Sequence, residues 1–123
     1  MAESFGVKMG VEGEKEFKNA LKEINSAFKV LGSEMNLVTS QFDKNDKSIQ
    51  SLSARNGVLT KEIEAQKNKV QTLQAALENA SSSFGEADSR TRSWQIQLNN
   101  AQADLNKMES ELKANDMVGQ PAR

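Results

Sequence analysis

Apolar residues recur along this chain in alternating steps of four and three, from Phe17 to Phe84, without a slip of phase. The series opens with Phe17, Leu21, Ile24, Phe28, Leu31, Met35, Val38 and Phe42. It continues through Asn45, Ile49, Leu52, Asn56, Leu59, Ile63, Gln66, Val70, Leu73, Leu77, Ala80 and Phe84. On a helix of 3.6 residues per turn this spacing draws a narrow seam, which only another helix can cover. The register resumes at Trp94, Leu98, Ala101, Leu105, Met108 and Leu112. The expected fold class is all-α: long heptad-patterned helices forming coiled coil, with an antiparallel helical hairpin, preceded by one short N-terminal β-strand.

That strand falls in residues 1–12. Between Ser4 and Val11 the apolar Phe5, Val7, Met9 and Val11 alternate with Gly6, Lys8 and Gly10 at a period of two. A lone strand has no ladder partner within the chain, so its partner is expected in another copy, another protein or further chain. Residues 13–42 read as a helix, with Glu14 and Glu16 near the positive end of its dipole. Residues 43–48 carry Asp43, Asn45, Asp46 and Ser48, residues that favour caps over helix interiors. The unbroken register argues for a helix bent through this stretch, and the residue chemistry argues for a loop with Asp46 or Ser48 capping a new helix. Both readings stand at this level.

Residues 49–115 predict the hairpin, with its turn near 84–88. Ser81, Ser82 and Ser83 weaken the helix, Gly85 suits the left-handed position past its end, and Asp88 or Ser89 can cap the next one. Reversal about Gly85 and Glu86 sets Leu77 against Trp94, Leu73 against Leu98, Val70 against Ala101, Gln66 against Leu105, Ile63 against Met108 and Leu59 against Leu112. The next layer joins Asn56 to Asn115, a polar pair that satisfies itself and penalises slipped registers. Asn45, Asn56 and Gln66 read as register or oligomer-state determinants. Residues 116–123, with Gly119 and Pro121, read as a tail or linker.

If the hairpin consumes the second half of the seam, its first half has no partner left within the chain. Phe17 to Phe42 is then expected to pack between copies, in parallel, with the N-terminal strands gathered at one end. The flanks Ala20, Asn25, Ala27 and Gly32 allow close approach but do not fix the copy number.

Composition removes most chemistry. The chain has 123 residues, 37% of them apolar, with five Phe, one Trp and no Tyr, which is thin material for a compact core. Lacking Cys and His, it has no disulfide, thiolate nucleophile, imidazole base or soft-ligand metal site. Sixteen basic and seventeen acidic residues are interspersed, which leaves no footprint for nucleic acid or an anionic membrane. No run is apolar enough for a bilayer span or a signal-peptide core, so synthesis and first residence in the cytoplasm are expected.

Candidate motifs resolve to structural readings. Gly6, Gly10 and Gly13 are not followed by Gly-Lys-Ser/Thr, so they are no phosphate loop. Asp43, Asn45 and Lys47 begin like a calcium loop, but Ser48 and Ala54 break it. Glu62 with Glu64, and Glu109 with Glu111, stand two apart and on different helix faces. Trp94 closes the hairpin core near its turn. Asn79-Ala80-Ser81 matches a glycosylation acceptor by chance on a helix. No catalytic residue, metal ligand or cofactor site is expected, and the chain reads as a non-enzyme.

Three stretches resemble a known family: "ESFGVKMGVEGEKEFKNALKEIN" at the start, "LTKEIEAQKNKVQTLQAALENASSSFGE" in the middle and "WQIQLNNAQADLNKMESEL" near the end. They are similar to the N-terminal region of tail tape measure proteins of tailed bacteriophages and prophages of Gram-positive bacteria. The most specific wording is Phe84-Gly85-Glu86 and the run Gln97 to Gln102, and the resemblance extends to about Leu112. It implies an N-terminal fragment of a longer structural protein that sits in the tail tube as an extended helical multimer, of three or six copies, and sets tail length during assembly. The implied partners are copies of itself, tail tube and tail tip proteins and tail assembly chaperones, with no binding of nucleic acid or membrane by this fragment. The implied location is the tail lumen of the virion, after the host cytoplasm during assembly. A single helix from Phe17 to Phe84 would reach roughly 100 Å, about three times the length of a globule of this mass. Two other readings fit the same pattern: a small cytosolic coiled-coil adaptor or chaperone, and a secreted helical-hairpin effector, which would want a Trp-x-Gly turn where this chain has Phe84-Gly85.

Overall fold

The computed structural model of the protein describes residues 11–42, 46 and 48–119. They form three helices: α1 (Val11–Ser40), α2 (Ile49–Phe84) and α3 (Ser89–Gly119). At about 1.5 Å per residue these are rods of roughly 45 to 54 Å. They run up, down and up, with α2 packed against both of the others. The antiparallel sense of α1 and α2 shows in two contacts. Glu34 meets Lys61 at 3.5 Å, and the Lys69 ammonium sits 6.0 Å from the centre of the Phe28 ring. These exposed pairs mark register rather than supply much stability. For α2 and α3 the same sense shows in the bonds from Gln66 to Ala101 and from Asn115 to Asn56.

Several expected boundaries move. Val11, the last residue of the alternating stretch, and Glu12, the last of the expected strand segment 1–12, are helical. Glu14 and Glu16 favour the positive end of the α1 dipole. The remainder of the predicted strand lies outside the described residues. At the other end α3 continues through residues 116–119 of the expected tail, since no Gly or Pro interrupts the chain before Gly119.

Of the two readings left open for 43–48, the structure has the break with a capped new helix. The chain does not run on as one rod: α1 ends at Ser40 and α2 begins at Ile49, folded back along it. The hydroxyls of Thr39 and Ser40 donate to the carbonyls of Asn36 and Leu37, and the amides of Gln41 and Phe42 close three-residue turns onto Val38 and Thr39. Ser48, in an extended conformation, then caps α2, its Oγ accepting from the Ser51 amide at 3.1 Å. Asp46 accepts from the Ser48 amide at 2.7 Å. That amide, the Ser48 hydroxyl and the Arg55 charge hold the Asp46 carboxyl below its ordinary value. Ser48 is the cap and Asp46 braces it through its amide, so side-chain capping prevails over seam continuity.

The turn between α2 and α3 forms where glycine predicts it. Gly85 has φ 88°, a conformation unfavourable for a side chain, and its amide closes α2 onto the Ser81 carbonyl at 2.9 Å. Gly57 is different. It lies at ordinary helical φ within α2, and a methyl group added there would meet nothing within 4 Å. Gly57→Ala is therefore expected to stabilise the protein by roughly 0.5–1 kcal/mol, raising the midpoint of urea unfolding without changing its slope. An unchanged midpoint would mean that Gly57 costs the helix nothing.

Candidate functional site

All eleven predicted hairpin-core residues meet in one cluster. Leu59, Ile63, Val70, Leu73, Trp94, Ala101 and Leu105 are buried in it, and Leu77, Leu98, Met108 and Leu112 pack against it. Leu73 is wholly inaccessible, as expected for the middle of the longest helix between two neighbours. The polar layer forms as the register requires: Asn115 Nδ2 donates to Asn56 Oδ1 at 3.0 Å, 59 residues apart in sequence. Gln66 is buried too, but it does not merely face Leu105. Its Nε2 donates to the Ala101 carbonyl at 2.8 Å, one turn nearer the hairpin tip, which satisfies a buried amide without a side-chain partner.

The seam on α1 lies differently from expectation. Phe17, Leu21 and Leu31 are buried within the single chain, Ile24 and Met35 pack against the same core, and Phe28, Val38 and Phe42 are half-buried. Phe17 meets Trp94 edge to face, with ring centres 6.4 Å apart and planes at 72°. The premise that this seam lacks a partner inside the chain therefore fails. Covering both seams widens the buried face of α2 beyond two positions per heptad, so Val58 and Ala76, off the predicted series, are buried. Conversely Ile49, on the series, is exposed, since the chain breaks just before it. No signal in the sequence separates the two cases, since α1 also carries apolar Val30 and Leu37 off the series and leaves them exposed.

The hairpin tip carries the strongest electrostatics. Asp88 stands at the N-terminus of α3, where its Oδ1 accepts from the Arg90 amide at 2.8 Å. Its carboxylate also takes both ends of the Arg90 fork, at 3.0 Å each, and the guanidinium lies 3.5 Å from the centre of the Phe84 ring. The Arg90 side chain, then its amide, hold the Asp88 carboxyl down to about 2 from an ordinary 3.8. An acid whose folded value is depressed contributes stability above its unfolded value and loses it as pH falls through the folded one. Asp88→Ala is thus expected to lower Tm at neutral pH and to approach the wild type as pH falls from about 4 to about 2. An equal deficit at both ends, in thermal melts followed by circular dichroism, would show that the carboxylate charge plays no part.

Little else here resembles a reacting site. The Glu62 carboxyl is pushed up by burial and then by Glu111 across the hairpin, an arrangement of like charges. A cleft of about 580 Å³ runs beside the tip, lined by Leu77, Glu78, Ser81, Thr91, Arg92 and Gln95 among others. Thr91 is buried there with its hydroxyl unpartnered. Charges of both signs around it select no ligand class. Among the described residues no group of acidic side chains is arranged to hold a metal ion, and no helix is long and apolar enough to cross a membrane. Comparison with protein-family models, with curated proteins and with solved structures returns no match.

Proposed function

We propose that this chain is the N-terminal part of a tail tape measure protein: a structural, non-catalytic component of a phage tail, working in the tail lumen after assembly in the host cytoplasm. The observation that carries this reading is the resemblance of the three quoted stretches, whose most specific wording falls on a structural joint. Phe84-Gly85-Glu86 makes the tip of the hairpin, with Gly85 at positive φ and Phe84 under Arg90. In this reading the fragment acts by packing, with no cofactor, and its partners are copies of itself, tail tube and tip proteins and the assembly chaperones. Because α1 folds back on α2, the fragment supplies a bundle of roughly 54 Å rather than a rod of twice that length. The measured length then comes from chain beyond it, and the bundle serves as the end that other tail proteins hold.

The test is genetic and microscopic. In the phage or prophage carrying this gene, in-frame deletions in the helical chain downstream of this fragment should shorten tails by about 1.5 Å per residue removed, seen by electron microscopy. Tails of unchanged length would reject the assignment. The closed bundle also gives the cytosolic adaptor or chaperone reading a specific support, since its seams are covered within one chain. A reading frame that stops near Arg123, away from tail genes, would favour that alternative.

A further inference from the structure

We propose that two copies of this chain exchange α1, each laying it along the partner's α2 in an antiparallel dimer. The inference does not depend on the functional assignment. It starts from a coincidence between sequence and fold. The heptad series of α1 and that of α2 are in phase through Phe42, Asn45 and Ile49, although in the monomer the two helices are separate and need share no phase. A helical linker would join both seams into one stripe along a single straight helix.

The fold supplies the matching symmetry. Glu34 pairs with Lys61 and Phe28 with Lys69, and the midpoints of the two pairs fall on either side of Ser48, the last residue of the 41–48 linker. Two straightened chains laid antiparallel, with that linker on the two-fold axis, therefore remake every α1–α2 contact between copies and leave each α2–α3 hairpin intact. The core contacts Phe17 and Leu21 lose within one chain are regained from the other. What differs between the two states is local. The monomer keeps the Ser48 cap and the Asp46 bond to the Ser48 amide, and the exchanged form replaces them with continuous helix. The monomer also has the advantage of tethering, since a short linker holds α1 against α2 at a high effective concentration. Caps and tether together keep the chain closed when dilute. Loss of the caps, or high concentration during refolding, tips it to exchange.

The chain has no cysteine, so crosslinks can be placed cleanly. Glu34→Cys with Lys61→Cys, treated with a short bismaleimide, should link within one chain in the monomer and between chains in the exchanged dimer. Asp46→Ala with Ser48→Ala in that background should move the monomer–dimer balance at least about tenfold toward dimer, the usual weight of a lost helix cap. Light scattering gives the mass, and denaturing gels give the linkage. The proposal is overturned if the cap variant stays monomeric after refolding at hundreds of micromolar, or if its dimer links only within chains. Should that variant fail to fold, the two-cysteine protein with native caps carries the same readout. Refolded at hundreds of micromolar, it must yield a dimer fraction linked between chains, and its absence overturns the proposal equally.

Discussion

Trp94→Ala is expected to cost roughly 3–5 kcal/mol, a large part of the 5–15 kcal/mol typical of a whole domain. The indole is 3% exposed, in the core cluster that side chains of α1, α2 and α3 share, and it meets Phe17 edge to face. Truncation removes its buried apolar area and leaves a cavity that three long helices, fixed elsewhere along their length, close only in part. For a chain of this size Tm should fall by roughly 10–20 °C. Trp94→Phe, which keeps an edge for Phe17, should lose distinctly less. Thermal melts followed by circular dichroism check both. A loss of only a few degrees for the alanine variant would mean that Trp94 packs loosely and that the tip is held by the Asp88–Arg90–Phe84 clamp instead.

Leu21→Lys with Leu31→Lys is expected to free α1 while leaving α2 and α3 paired. Both leucines are buried, and each substitution removes apolar burial and brings an unpaired ammonium into the α1–α2 interface. Their combined cost, on the order of 4–8 kcal/mol, exceeds what an isolated helix of this length retains in water. The hairpin keeps Leu59, Ile63, Val70, Leu73, Ala101 and Leu105 and its Asn56–Asn115 bond. Helical ellipticity should therefore fall by roughly a third, the share of α1 among the three helices. Hydrogen exchange should rise to near-unprotected rates across α1 and stay slow in the centres of α2 and α3. Loss of protection in all three helices together would show that the bundle unfolds as one unit and that α1 cannot leave alone.

The legibility of this chain follows the range of the interaction concerned. The hairpin could be read from one dimension: a glycine that must take positive φ fixes the turn, and a turn fixes which residues oppose each other. The pairing of Asn56 with Asn115 across the full hairpin follows from that step and a constant register. Neighbours of the turn were harder. Arg90 over Phe84 depends on side-chain directions at the tip, and no periodicity reports those. Gln66 was legible as a polar core position, but its acceptor, a helix carbonyl, leaves no trace in residue identity.

By itself the sequence determined that the protein is helical, which faces of its helices are apolar, where α2 turns into α3 and in what register they pair. Those properties rest on local backbone preferences and on the 3.6-residue period, and both are carried by the residues in order. Only the tertiary structure decided where the partner of the α1 seam comes from. A heptad seam states that a helix must cover it and is silent on whether that helix belongs to the same chain. The choice was made at 41–48, where the Ser48 cap, braced by Asp46, outweighs continuation of the helix and the reversal brings Phe17, Leu21 and Leu31 onto their own chain's core.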